Sequence, residues 1–234
     1  MAKKIIVFGG TFNPIHNAHL RIARTLLKKF SPDKIIFIPA NIPYHKLSCP
    51  PSVPLQRATA GDSQQYFAKA KLLHYTEVID PKHRLAMTSL AIKGEPRFQV
   101  SDIEIKRGGN TFSIDTIKKL KKQYPKDTEF YFVIGTDSLI DFPRWHKVNE
   151  LAELYRFITI ARPGYPFAKL IKGLHFPTDV IKDIKLLYQP TPKLDISSTD
   201  IRQKIKAGKS IKPLVPKMVE NYIKKQKLYL NISL

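Results

Sequence analysis

With 234 residues, 43% of them hydrophobic and 10% aromatic, the chain carries enough apolar material for one packed α/β domain, which excludes disorder along its whole length. Its single cysteine, Cys49, excludes an intrachain disulfide and a cysteine-based zinc cluster, and no apolar run is long enough to span a bilayer as a helix. The 40 basic against 19 acidic residues give a formal charge of +21, a field that attracts nucleic acid, acidic membranes or phosphorylated small molecules. The lysines are scattered in pairs over predicted helix surfaces (Lys28-Lys29, Lys118-Lys119, Lys121-Lys122, Lys224-Lys225), and no RNA-binding aromatic signature or zinc-finger spacing accompanies them. Charge alone therefore does not choose a partner. Met1-Ala-Lys-Lys precedes an apolar run too brief for a signal peptide, so a cytoplasmic protein is expected.

The run Ile5–Phe8 predicts a buried parallel strand that stops at Gly9-Gly10, where a missing Cβ lets the backbone turn and a ligand approach. Asn13-Pro14 continues the loop, and Leu20, Ile22, Ala23, Leu26 and Leu27 mark one face of a helix over Asn17–Phe30. Strand, glycine turn and helix N-terminus together form a place for phosphate oxygens, because free N–H groups and the helix dipole point there. His16 and His19 stand at the mouth of that helix, one turn apart. Metal ligation by this pair is not expected, since no acidic or cysteine third ligand lies nearby in sequence.

Further strands are predicted at Lys34–Pro39, Phe98–Ile105, Phe130–Ile134 and Arg156–Ala161, with helices near Arg84–Lys93, Ser113–Gln123 and His146–Leu154. This alternation predicts βαβ units, hence an α/β fold with a Rossmann-like parallel sheet and helices on both faces. Gly9-Gly10 and Ile134-Gly135-Thr136-Asp137-Ser138 are expected to end neighbouring strands across a ligand crevice at the topological switch point. The proline-rich, weakly patterned stretch at about 47–80 reads as an insertion in a single domain spanning 1–234; whether it covers the site or serves an interface stays open. After Pro190, Asp195–Arg202 opens a helix with serine or threonine capping, and Ile211–Leu228 reads as a closing basic helix, giving a helical C-terminal part over 196–234.

Four separated segments carry a resemblance. Gly9-Gly10-Thr11-Phe12-Asn13-Pro14-Ile15-His16-Asn17-Ala18-His19 resembles the His-x-Gly-His signature of the nucleotidylyl transferase superfamily. Ile196-Ser197-Ser198-Thr199-Asp200-Ile201-Arg202 resembles its second motif, Ile-Ser-Ser-Thr-x-x-Arg. Between them, Arg107 to Thr116 and Phe132 to Leu139, followed by Trp145, resemble the narrower nicotinate-mononucleotide adenylyltransferase family. What the resemblance implies is attack of a mononucleotide phosphate on the α-phosphorus of ATP, with pyrophosphate leaving alongside Mg²⁺ and no covalent enzyme intermediate. The site residues it implies are His16, His19 and Arg202 as catalytic groups, with a cationic imidazole opposing the growing phosphate charge. For ATP it implies Gly9, Gly10, Thr11, Phe12, Lys46, Gly135, Asp137, Ile196, Ser197, Ser198 and Thr199. For nicotinate mononucleotide it implies Thr111, Phe112, Ser113, Asp115 and Trp145, the last stacking on the pyridine ring.

The chain departs from the pattern at Ala18, where the signature has glycine and an added methyl would crowd ATP. It departs again at Asn13, in place of a commoner aspartate, and at His146, where tyrosine is frequent. No dedicated metal site, membrane partner or nucleic-acid partner is expected, and a homo-oligomer is left open. Rival readings are an enzyme acting on nicotinamide mononucleotide or another small molecule of the superfamily, and a basic nucleic-acid-binding protein on a nucleotide-binding fold.

Overall fold

The computed structural model describes residues 2–41, 78–109, 112–190 and 196–230. Lys46, Cys49 and Thr111, together with the expected insertion up to residue 77, lie outside the described residues.

Five parallel strands make one sheet in the order β3-β2-β1-β4-β5: β1 (Lys4–Gly10), β2 (Lys34–Pro39), β3 (Phe98–Val100), β4 (Glu129–Gly135) and β5 (Arg156–Ile160). The chain moves outward from β1 through β2 to β3, then returns to place β4 on the other side of β1, so the strand order reverses between β1 and β4. Gly10 and Gly135 therefore do end neighbouring strands at the switch point, as the sequence predicts. β1 is apolar on both faces because both are covered. Ile6 and Phe8 enter one core and Ile5 and Val7 the other.

The first core packs α1 (Asn17–Phe30), α2 (Pro81–Ile92), α8 (Ser198–Lys206) and α9 (Lys217–Lys225) on one face, through residues such as Leu20, Leu26, Met87, Ile201 and Val219. The second packs α4 (Ser113–Lys121), α5 (Val148–Leu154) and α7 (Thr178–Leu186) on the other, through Ile114, Ile117, Leu151 and Ile184. Each such side chain, fully buried, contributes roughly 1.5–3 kcal/mol from apolar area removed from water. Two further short helices, α3 (Ile103–Arg107) and α6 (Phe167–Leu170), lie in the connections.

α1 spans the predicted residues. It ends at Ser31, in the left-handed region at φ 43°, whose N–H donates to Leu27 O at 3.1 Å, and Lys28 and Lys29 in its last turn complement the helix dipole. Two expectations need correction. The strand predicted over Phe98–Ile105 stops at Val100, and Ile103–Arg107 is helical: Lys106 N donates to Asp102 O at 2.8 Å, and Gly108 at φ 67° ends the turn. Ile103 and Ile105 alternate as in a strand, but Ile103 alone in this helix is buried. The closing helix predicted from Ile211 starts only at Lys217, because Pro213 and Pro216 break the segment and Pro216 becomes the N-cap.

Candidate active site

The loop after β1 is built from the inside. A Cβ on Gly10 would lie 2.9 to 3.3 Å from three ring atoms of Phe12, so a glycine is needed here for the protein's own phenylalanine to pack. Gly9 would meet Phe132 only at an ordinary 3.5 Å. Phe12 sits at φ 48°, a left-handed conformation that costs a non-glycine residue about 1–2 kcal/mol. Its ring offsets that cost by packing edge-on to Phe8 at 5.8 Å and to His19 at 5.1 Å. Phe12 is 2% exposed, so its side chain is core and only its backbone is left for a nucleotide.

Arg84, on the first turn of α2, is completely buried, and its guanidinium ties three loops together. Nη1 donates to Thr11 O at 2.8 Å, Nη2 to Asn41 O at 2.8 Å and Nε to Ile79 O at 3.1 Å. Thr11 is thus held through its carbonyl, while its buried hydroxyl has no hydrogen-bond partner among the described residues. Asn13 is a second junction: its Oδ1 accepts from Tyr229 Oη at 3.1 Å and from Ile79 N at 3.4 Å. Both partners are donors, so asparagine keeps the part of an aspartate that the loop uses.

His16 is the N-cap of α1, and its backbone N–H donates to His19 Nδ1 at 3.2 Å. That bond makes His19 Nδ1 the acceptor and leaves Nε2 to carry the proton. The two imidazoles stack with centroids 3.7 Å apart and planes inclined by 26°. His16 Nδ1 is buried with no hydrogen-bond partner among the described residues. Burial, helped by the field of Arg162, lowers the His16 pKa to about 3. The expected cationic imidazole is therefore corrected at this position: His16 is neutral at pH 7. Ala18 is 3% exposed, so its methyl is covered by protein atoms.

α8 brings the second motif to this loop. Ser197 is its N-cap, accepting from Asp200 N at 3.1 Å, and Ile196 packs partly buried against the first core. Ser198 Oγ donates to Pro14 O at 2.9 Å, which leaves its backbone N–H rather than its hydroxyl for a phosphate. One turn along, Arg202 Nη1 donates to Asn13 O at 3.1 Å and Nη2 to Thr199 Oγ1 at 3.5 Å. A residue 189 positions away in sequence thus lies against the carbonyl three residues before His16. Asn17 completes the joint, with its N–H on Leu214 O at 2.9 Å and its side-chain amide on Pro213 O at 3.0 Å.

Across the switch point, Gly135 ends β4, and a Cβ there would collide with the Asp137 carboxylate that folds back over it. Asp137 Oδ1 lies 3.9 Å from Arg162 Nε. Phe112 and Ser113 start α4; the Phe112 ring lies 4.4 Å from that of His146, and Asp115 is exposed in the helix's acidic first turn. Trp145 packs edge-on against Phe142 at 5.3 Å and Phe132 at 6.3 Å and is partly buried. Sequence reasoning missed Arg84, Arg162 and Tyr229. Arg84 and Arg162 carry a signal only in hindsight, as charged residues immediately inside or after an apolar element.

A family model described as cytidylyltransferase-like matches residues 7–58 and 64–204. The chain belongs to this family. A protein of Thermoanaerobacter sp. (strain X514) named "Probable nicotinate-nucleotide adenylyltransferase" is 38% identical over 228 residues, covering 95% of this chain and 92% of its own. One of the same name from Clostridium tetani is 35% identical, covering 97% and 99%. These place the chain in the nicotinate-nucleotide adenylyltransferase branch. Its fold is that of the Plasmodium falciparum nicotinic acid mononucleotide adenylyltransferase solved with NaAD, with a TM-score of 0.66 at 20% identity, covering 99% of this chain and 100% of that one.

Proposed function

We propose that this family member transfers the adenylyl group of ATP to nicotinate mononucleotide, giving nicotinate adenine dinucleotide and pyrophosphate in NAD biosynthesis. A phosphate oxygen of the mononucleotide forms a bond to the α-phosphorus, the bond from that phosphorus to the bridging oxygen breaks, and its electron pair leaves on pyrophosphate. No side chain needs to become a nucleophile. The protein's task is to align two phosphates and oppose the charge that builds on the leaving group.

The observation that carries this reading is the meeting of the two outer motifs: Arg202 against Asn13 O, with the stacked His16–His19 pair where that loop enters α1. His19, its Nδ1 engaged, presents Nε2–H as a fixed donor. Neutral His16, with an unsatisfied buried nitrogen, gains a partner when a phosphate oxygen arrives. Arg202 and the N–H groups opening α8 take the β- and γ-phosphates. On this reading Gly9, Gly10, Thr11 and the Phe12 backbone line the same phosphates, Lys46 adds a cation, and Gly135 and Asp137 hold the ribose. Thr111, Phe112, Ser113, Asp115 and Trp145 take the mononucleotide.

Among the described residues no cluster of three or more His, Cys, Asp or Glu side chains could cage a metal. Mg²⁺ enters this reading as part of the MgATP substrate, carried on the phosphates. Among the described residues no helix is long and apolar enough to cross a membrane, and the proposed location is the cytoplasm.

The test is incubation of the protein with MgATP and either the acid or the amide mononucleotide, reading dinucleotide and pyrophosphate. Dinucleotide from the acid form supports the reading; preference for the amide, or no product from either, overturns it. His19→Ala should lower kcat by about a hundredfold, as loss of one preorganised donor to a charged transition state does. Wild-type turnover in that variant would remove His19 from the mechanism.

A further inference from the structure

α9 closes without a glycine. Lys227 N donates to Lys224 O at 3.2 Å and Leu228 N to Ile223 O at 3.0 Å, the paired bonds that end a helix when the residue after its cap turns left-handed. That residue is commonly glycine; here it is Lys227, at φ 52°. Tyr229 follows at φ 66°, a second non-glycine residue in a region where an L side chain is strained. The first of these turns ends the helix. The second lies beyond it, at the residue whose side chain enters the first core with 2% exposure. Strain held at a buried tyrosine points to a use for that tyrosine.

Tyr229 Oη donates to Asn13 Oδ1 at 3.1 Å, across 216 positions of sequence. Burial holds the phenol well above its ordinary pKa range, against the fields of Arg202 and Arg84, so the hydroxyl keeps its proton and serves as a donor. Asn13, itself buried, is held at both of its oxygens. Oδ1 takes Tyr229 and, at 3.4 Å, Ile79 N, while the main-chain oxygen takes Arg202 Nη1 at 3.1 Å. The bond from Tyr229 therefore sets the residue whose carbonyl orients Arg202. The C-terminal part grips this loop at further points: Ser198 on Pro14, and Leu214 and Pro213 on Asn17. Tyr229 is the last of these contacts along the chain.

We propose that Tyr229 is a positioning residue for the transfer reaction: its hydroxyl fixes Asn13 and, through the Asn13 carbonyl, the guanidinium of Arg202. The inference rests on the adenylyl-transfer reading and adds to it a residue that acts on substrate only through Arg202. Its loss removes no charge from the site. It lets Asn13 swing, so that Arg202 meets the leaving phosphates less well aligned, and alignment is what this chemistry asks of the protein.

The experiment compares the full-length wild type with Tyr229→Phe, which deletes only the hydroxyl, and with Tyr222→Phe as a control. Tyr222, on α9, pairs its hydroxyl with His83 Nδ1 at 2.9 Å rather than with the loop. Each protein is titrated with inorganic tripolyphosphate by calorimetry and assayed for dinucleotide and pyrophosphate from MgATP and nicotinate mononucleotide. Tyr229→Phe should bind tripolyphosphate about fivefold more weakly, the size of one net hydrogen bond, and lower kcat while KM for the mononucleotide holds. Tyr222→Phe should match wild type in all three. In an Arg202→Ala background Tyr229→Phe should have no further effect, because its route to phosphate is gone. Asn13→Ala removes the same bond from the other end and should reproduce the loss; it supplies the answer should Tyr229→Phe not fold. Wild-type tripolyphosphate affinity and kcat in Tyr229→Phe overturn the proposal. So do equal losses in the two tyrosine variants, or a Tyr229→Phe loss that persists undiminished without Arg202. Coupling of Tyr229 to Arg202 in tripolyphosphate binding, by a protein that makes no dinucleotide, would sink the adenylyl-transfer reading and leave the link between these two residues standing.

Discussion

His16 is buried at a helix entrance, and desolvation, then the Arg162 field, moves its pKa from the ordinary 6.5 to about 3. The unfolded chain binds a proton at 6.5 that the folded chain refuses until about pH 3. Between those limits the unfolded state holds more protons, so stability from this residue is full above pH 6.5 and is lost as pH falls towards 3. His16→Asn removes the titration while keeping a polar side chain. Urea unfolding at about pH 7.5, 6 and 5 should show wild type losing stability over this range more steeply than the variant. Equal slopes would mean that His16 is already solvated in the native state. The same neutral imidazole suits a phosphate site: it donates without placing a positive charge 3.7 Å from the His19 ring.

α8 is where one element carries both a structural and a chemical burden. Its N-cap, Ser197, accepts from Asp200 N and donates to the Asp200 carboxylate at 2.7 Å, fixing the first turn that presents Ser198 to Pro14 and Arg202 to Asn13. Ser197→Ala should cost about 1 kcal/mol, read as a lower denaturation midpoint at an unchanged slope. It should also weaken MgATP binding, because the frayed turn holds Arg202. A destabilised protein with intact ATP affinity would separate the cap from the site. Such elements were legible: the strand-glycine-helix opening, the parallel alternation and the Ser-Ser-Thr cap each follow from local pattern, and β1, α1 and β2 stand where periodicity puts them. What local pattern could not give is what depends on distant partners. Ile103 and Ile105 fit strand and helix alike until Asp102 O receives Lys106 N. The packing reason for glycine at position 10 emerges only when Phe12 turns back over it. Nothing local marks Arg84, whose role depends on three carbonyls from separate loops that surround it.

At the scale of the whole molecule, the question is what a charge of +21 is for. Lys28 and Lys29 ride on α1 and Lys224 and Lys225 on α9, over the first core, whereas Lys118, Lys119 and Lys121 ride on α4, over the second. These layers lie on opposite faces of the sheet, so the lysines do not form one stripe along which a duplex could lie. A charge spread over both faces still attracts a polyanion from all directions and raises its encounter rate. ATP carries several negative charges, and its proposed site is at the carboxyl ends of β1 and β4, between those layers. Raising salt from about 0.05 to about 0.5 M shortens the Debye length from roughly 14 to 4 Å, which should lower kcat/KM for MgATP severalfold with little change in kcat. A labelled duplex of about 20 base pairs should show no binding at physiological salt, where a true phosphate-contacting surface would give a steep, linear dependence on log salt. Tight duplex binding with that slope would mean that the lysines form a surface of their own. The adenylyl-transfer site would then be only part of what this chain does.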